Sequence, residues 1–264
     1  MKRGIVLAAA VAVGFLFAWP VRSLWLTALM SLNGAAFGQT DPVLGRDIGF
    51  YVFRLPWLQS LQGWFLWLVL LALGGSALIY LAGFSAERLI SRIQVVDKRR
   101  PWLRLSPSAE RHLLVLGAVG LGLIAWGYQL SIPRLLYSSS GAAFGAGYTD
   151  VHVRLPVMQV LTVLALLGAV LLLASICARV RWLPYAVVGA WLLGAFVGGT
   201  ILPSLMQRLL VEPNELTRER EYITNTIQFT REAFGLDGID EADFNVAEGV
   251  VPLDLTANES TLKN

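Results

Sequence analysis

The chain has 264 residues, 56% of them hydrophobic and 15% charged, with a mean hydropathy of +0.61. Soluble domains hold about 45–50% apolar residues, so this composition excludes an ordinary water-soluble globule and points to a membrane protein. The formal charge of +3 divides unevenly, with sixteen Lys and Arg against six acids in residues 1–202 and twelve acids against five basic residues in 203–264; the basic residues lie between apolar runs rather than along one face with aromatics, which excludes a nucleic-acid binder.

The first apolar run, 4–19, follows Lys2 and Arg3 and stops at Pro20. It is the shortest candidate span, and it reads either as an uncleaved anchor or as the core of a signal peptide. No small-x-small pair follows it, which favours the anchor; on either reading the next residues emerge on the far side. Residues 21–33, interrupted by Arg22, are too short to span and are expected to lie along the interface as an amphipathic helix. A polar, turn-rich passage leads to the second span, 57–83, which is free of charge. Pro56 suits the first turn of a helix, where a missing amide costs nothing, so the Leu55-Pro56 pair is read as a start signal.

Residues 84–111 hold seven Lys and Arg against three acids. The third span is 113–132, the fourth 155–177 and the fifth 184–202, with Arg179 and Arg181 in the short connection between the last two. The excess of Lys and Arg places the amino terminus, 84–111 and 178–183 in the cytoplasm, and it places 20–56, 133–154 and the carboxyl tail outside. Trp19, Trp57, Trp126, Tyr128, Trp182 and Tyr185 fall near span ends, as an aromatic belt requires. The expected fold is all-α, a multi-pass transmembrane helical bundle over 1–202 followed by the start of an acidic extracytoplasmic region at 203–264. In that region Asn214 is expected to cap a helix that ends at Gly235. Leu216, Ile223, Ile227, Thr230 and Phe234 then share one face, which needs a protein partner or a downstream domain to cover it.

One motif occurs twice. Val52–Gln59 reads VFRLPWLQ and Val151–Gln159 reads VHVRLPVMQ, so Arg54, Leu55, Pro56 and Gln59 recur 100 positions later, each copy behind a Phe-Gly pair (Phe37-Gly38 and Phe144-Gly145). Both copies head an out-to-in helix, which makes two parallel repeated hairpins rather than an inverted repeat. Leu202-Pro203 with Gln207 leads out of the membrane and is not counted as a third copy. Residues 141–147 (GAAFGAG) lack the Lys and Ser/Thr of a phosphate loop and read as a turn-rich connector. Gly194 and Gly198 form a GxxxG pair that would let two helices approach closely.

The outer loops carry a resemblance. DPVLGRDIGFYVFRLP (41–56), GAGYTDVHVRLP (145–156), LPSLMQRLLVEPNELTRER (202–220) and YITNTIQFTREAFGLD (222–237) resemble uncharacterised protein family 0182, a group of large bacterial multi-pass membrane proteins. The resemblance implies a bacterial plasma-membrane bundle followed by a large extracytoplasmic region. Members of that family have about seven spans and a long region beyond them, so a shortened relative or a fragment is expected here. Glu221 stands where the family pattern has proline. The family carries no assigned activity, so the resemblance implies place and fold but no mechanism.

Every charged residue of the first 202 lies at a span end or in a loop, which argues against a complete proton or ion path. The best polar cluster is at the outer face: Asp47, Arg54, Asp150, His152 and Arg154. It reads either as interfacial anchoring with caps and loop salt bridges, or as a site for anionic lipid head groups or envelope glycans held by the two arginines. Asp150 could orient His152 as a general base, but no nucleophile accompanies them. Two histidines and the single Cys177, which reads as a small buried hydrophobe, leave a metal site short of ligands. No catalytic residue, metal or cofactor is therefore assigned. The expected role is a non-enzymatic membrane anchor or scaffold in the bilayer that presents an extracytoplasmic region, in cell-envelope assembly; the alternatives are a transporter or channel component, or a membrane enzyme whose active site lies downstream.

Overall fold

The computed structural model describes residues 2–91, 106–141, 143–178 and 180–239. Its helices are α1 (Lys2–Ala18), α2 (Trp25–Asn33), α3 (Leu55–Ser91), α4 (Pro107–Ser131), α5 (Leu155–Ala178), α6 (Leu183–Phe196), α7 (Leu202–Met206), α8 (Glu215–Arg218) and α9 (Arg220–Ala233). Among the described residues there is no strand, only an isolated antiparallel bridge between Thr40 and Asp47. The basic stretch 92–105 and the acidic tail beyond Ile239 lie outside the described residues. One compact unit runs from Met1 to Thr226, and a second begins at Ile227.

Four helical stretches are long and apolar enough to cross a membrane: Phe50–Ala82, Pro107–Ser131, Asp150–Ala178 and Leu183–Arg218. A fifth arises if Ala10–Ser23 and Trp25–Asn33, bent by 46° at the turn between them, count as one span. Residues 21–33 are thus a 3-10 turn (Pro20–Ser23) and then a helix. Even the best covered span, Asp150–Ala178, buries only 33% of its apolar window inside the protein. The remaining Leu, Val and Phe side chains need hydrocarbon around them, since an apolar patch of that extent is not tolerated in water.

The Leu-Pro pairs are not helix starts. Each follows a five-residue π turn that already belongs to the helix: Phe50–Arg54 before Pro56, Asp150–Arg154 before Pro156, and Val197–Ile201 before Pro203. In each, the leucine amide bonds to the carbonyl five residues back (Leu55 to Phe50, Leu155 to Asp150, Leu202 to Val197). A proline ring inside an α-helix clashes with the carbonyl four residues back, and it cannot bond to it. A wider turn removes both problems, so the helix passes through the proline instead of beginning at it. A fourth π turn, Gln207–Val211, precedes Pro213 in the same way. The last helical stretch therefore runs on past Leu202, where sequence reading ended the fifth span, and the third Leu-Pro shares the local geometry of the repeat although it heads the other way.

The core is built by α4, α5 and α6, whose Ala118, Leu121, Leu172 and Val187 are buried together. Small residues set the spacing. A Cβ on Gly194 would meet Leu164 at 2.9 Å and one on Gly198 would meet Val157 at 2.8 Å. The GxxxG pair is used inside this chain, to seat α6 and its π turn on α5. Cys177 is exposed on the bundle surface rather than buried, because it falls on the face of α5 turned away from its neighbours. Glutamines tie the helices with bonds to backbone: Gln59 Nε2 donates to the Leu130 carbonyl (3.2 Å), and Gln62 Nε2 donates to that of Leu123 (2.9 Å). Gln129 Nε2 donates to Thr162 Oγ1 at 3.1 Å.

Candidate functional site

The heads of α3 and α5 gather the polar residues, and each is organised by carboxylates on backbone amides. Before α3, Asp41 is buried and accepts from the amides of Val43 (3.0 Å), Leu44 (2.5 Å) and Arg46 (2.8 Å) and from Tyr51 Oη (2.6 Å). This folds 41–46 into a tight loop, closed by Gly45 at φ 66. Asp47 then accepts from the amides of Phe37 (3.1 Å), Gly38 (2.9 Å) and Gly49 (2.7 Å). The Phe37 amide, with those of Gly49 and Gly38, holds the Asp47 carboxyl below the usual range. Asp47 is the N-cap of this helix, and the Phe-Gly pair before it is one of its ligands. Arg54 is exposed and lines a small cavity of about 160 Å³ with Asp47, Phe50 and Phe53.

Before α5 the same problem has another solution. Gly147 accepts the Val151 amide at 3.1 Å and so holds the N-cap position, where it has no side chain to offer. Asp150, 1% exposed, reaches back to the Gly147 amide (3.2 Å), which is the reciprocal half of a capping box. It also accepts from Arg154 Nη1 at 2.7 Å in an i, i+4 ion pair, and from Ser140 Oγ at 3.3 Å. The next free amide, Tyr148, donates to both oxygens of Glu219, at 3.1 and 3.2 Å. Glu219 is 2% exposed, and burial raises its carboxyl above the ordinary 4.5; the Tyr148 amide opposes this, while Asp150 and Glu215 add to it. Two carboxylates at one helix start suit the positive end of the helix dipole.

Glu219 also explains a break. The stretch expected as one helix over 215–234 divides at Glu219 (φ −91, ψ −6) into α8 and α9, because this residue turns its side chain to the head of α5. Asn214 holds the N-cap position of α8 but makes no capping bond with its side chain. The helix does stop at Gly235, which is left-handed at φ 67. Leu216, Ile227 and Phe234 of the expected apolar stripe are exposed.

Beside this junction lies a cleft of about 480 Å³. One wall is the Tyr148–His152 stack, with ring centroids 4.1 Å apart and planes at 17°. His152 Nδ1 lies 3.1 Å from the Tyr148 carbonyl and 3.5 Å from Tyr222 Oη. Arg218 covers the Tyr148 ring at 5.2 Å and donates to its hydroxyl at 3.2 Å. Asn214, Thr217, Glu221 and Tyr222 complete the lining. Burial, then Glu221 and Glu219, push the Tyr222 hydroxyl up, so it stays a neutral donor at neutral pH.

Of the five residues singled out from sequence, the structure groups Asp47 with Arg54 at one helix head and Asp150, His152 and Arg154 at the other. No hydrogen bond or ion pair joins the two groups among the described residues. Asp150 is paired to Arg154 and does not orient His152, since the π turn puts the arginine, four positions on, over the carboxylate. Sequence reading missed Asp41, Tyr148, Glu219 and Tyr222. Glu219 lies among charged neighbours (Glu215, Arg218, Arg220, Glu221), so nothing in the sequence set it apart from a solvated helix face. Among the described residues no three His, Cys, Asp or Glu side chains converge as a metal ion would need.

The family described as Uncharacterised protein family (UPF0182) matches residues 1–264. Similar relatives are each named a UPF0182 protein. That of Synechococcus sp. (strain JA-3-3Ab) is 39% identical over 94% of this chain and 30% of its own length. That of Cupriavidus necator is 40% identical over 99% of this chain and 28% of its own, and that of Desulforamulus reducens is 35% identical over 97% and 26%. This chain therefore spans 26 to 30% of the length of these relatives. No solved structure matches it.

Proposed function

Because the chain belongs to the uncharacterised protein family UPF0182, we propose that it works as a non-enzymatic membrane anchor and scaffold in the bacterial plasma membrane, presenting an extracytoplasmic region for cell-envelope assembly. The amino terminus is cytoplasmic, and the heads of α3 and α5 and residues 203–264 face outward. One observation supports this above the others: residues 55–82, 113–133, 155–178 and 182–207 contain no Asp, Glu, Lys or Arg. Charge that could drive a proton or ion across a bilayer is missing from the depth where it would have to act, while the polar machinery collects at one end. There Asp47 and Glu219 spend their charge on backbone amides and Asp150 on Arg154 and an amide, as structural carboxylates do.

Topology tests the reading. In a Cys177→Ser background, single cysteines at Ser140 and Ser260 are expected to react with a membrane-impermeant thiol reagent in intact cells, and one at Ser91 only after permeabilisation. Labelling of Ser91 from outside with protection of Ser140 sinks it. A second reading, a transporter or channel component, has the polar track of Gln59, Gln62, Gln129 and Thr162 between α3, α4 and α5 in its favour. Solute flux in reconstituted vesicles that Arg54→Ala abolishes would favour it over the scaffold.

A further inference from the structure

The polar cleft has an apolar neighbour. On the other side of His152 a groove of about 470 Å³ runs between the start of α5, at Pro156 and Val157, and the outgoing helix, at Leu205 and Leu209. His152 lines both cavities. The groove is walled by aliphatic side chains on two membrane-spanning stretches, and Leu209 is 71% exposed beside it. A ligand that fills both cavities must change from polar to hydrocarbon at the level of one imidazole ring, which is the construction of a lipid.

The lining also selects the head group. Glu221 is an acceptor only, Arg218 a donor only, and Thr217, Asn214 and Tyr222 can do both. A phosphate would meet Arg218 well but would face Glu221 with like charge, and its oxygens could not donate to the carboxylate. Sugar hydroxyls both donate and accept, so one sugar can serve the Arg218 donor and the Glu221 acceptor at once. We propose that the cleft and groove together hold a glycolipid, with a sugar head group between Tyr148, Arg218, Glu221 and Tyr222 and an acyl chain in the groove below His152. The proposal rests on the membrane reading above, but not on which leaflet these helix heads face.

The test uses the whole chain, extracted in a sugar-free amine-oxide detergent and placed in phosphatidylcholine nanodiscs doped equally with a monoglucosyl diacylglycerol and phosphatidylglycerol. Lipid retained through mild delipidation is quantified by mass spectrometry. The glucosyl lipid is expected to be retained about tenfold over phosphatidylglycerol, the discrimination that one charge-assisted hydrogen bond supplies. The preference should fall to parity in Glu221→Ala and in Leu209→Trp, which fills the groove from an exposed position. Equal retention of the two lipids by the wild type, meaning a bulk lipid shell only, overturns the proposal, and so does preference for phosphatidylglycerol. Unchanged preference in both variants overturns it as well. Because the wild-type competition needs no variant, misfolding of either one cannot hide the answer. Cysteine labelling can come out as proposed whichever way the lipid result falls, so failure of this site and failure of the topology are separable.

Discussion

Both copies of the RLPxxQ motif head a helix through the same π turn, yet one head is closed by neighbours and the other by a visitor. At α3 every capping partner of Asp47 lies within ten positions of it. At α5 the Tyr148 amide is held by Glu219, 71 positions away. The alignment shows why: Asp47 corresponds to Gly147 and Phe50 to Asp150. Losing the N-cap side chain leaves an amide to satisfy, and the second copy satisfies it with a residue from beyond the last span. A local cap closes a helix; a distant one also fastens whatever carries it. The second head thereby becomes the place where the segment leaving the membrane is tied to the bundle.

The largest expected effect follows from the ion pair that only the second head possesses. Arg154→Ala would strand Asp150, 1% exposed, with one amide and one hydroxyl for company. Breaking a fully buried pair costs about 3–5 kcal/mol. Arg154 is 35% exposed, so solvent screening reduces this to about 2–3 kcal/mol, readable as a lowered thermal midpoint in detergent. If Asp150→Asn with Arg154 intact is equally damaging, the capping bonds matter less than the charge. Next comes the first head, where no side chain can yield: a Cβ at Gly49 would lie 2.4 Å from the Ala35 carbonyl oxygen. Gly49→Ala is expected to cost about 2 kcal/mol as overpacking. At Gly147 the nearest atoms are the Glu219 oxygens, at 3.0 and 3.1 Å, which belong to a side chain that can move. Gly147→Ala should therefore be milder than Gly49→Ala, and the reverse order would contradict the contrast between a rigid local cap and a movable distant one.

Glu219 gives the contrast a pH dependence. Its folded carboxyl titrates above 4.5, so the folded protein binds this proton more tightly than the unfolded chain does. The contribution to stability is full below pH 4.5 and is lost as pH rises through the raised value. Amide exchange at Tyr148, corrected for the intrinsic rate, should show more opening as pH rises through that window. Glu219→Gln, which can still accept from Tyr148, should remove the pH dependence. Glu219→Ala should cost about 1 kcal/mol at neutral pH, less than a lost buried bond would suggest, because the burial penalty on the charge disappears with it. No such dependence is expected at Asp47, whose amide partners hold its carboxyl below the usual range; its contribution is present above the ordinary 3.8 and fades only as pH falls through the lower folded value.

The long apolar helices and their order were legible in the sequence because hydrophobic length is set by the bilayer and not by tertiary detail. The repeat pointed to Arg54 and Arg154 because the motif recurs 100 positions on. What stayed hidden depended on pairs far apart in the chain or on backbone geometry. Nothing in the strings around Tyr148 or Glu219 says that they meet, and Leu-Pro looks the same whether a helix starts at it or widens to pass it. Asp150 was singled out with His152 as its partner, whereas the π turn brings Arg154, four positions on, to its carboxylate.

The smallest expected effect is at Arg54. Its counterpart sits on a carboxylate four residues back; at that position Arg54 has Phe50, whose ring is covered by Arg46 at 4.7 Å. Among the described residues no carboxylate lies within ion-pair distance of Arg54. An exposed arginine without a partner contributes within about 0.5 kcal/mol, so Arg54→Ala should leave the thermal midpoint where it is while Arg154→Ala lowers it. That inequality is the sharpest statement of what divides the two heads, because the arginine, the motif and the turn are shared while the i−4 neighbour, Phe50 against Asp150, decides whether the arginine has a carboxylate to pair with. If both substitutions cost the same, the capping network is not what sets the stability of these helix starts, and the shared RLPxxQ motif would have to act through packing of its leucine and proline alone.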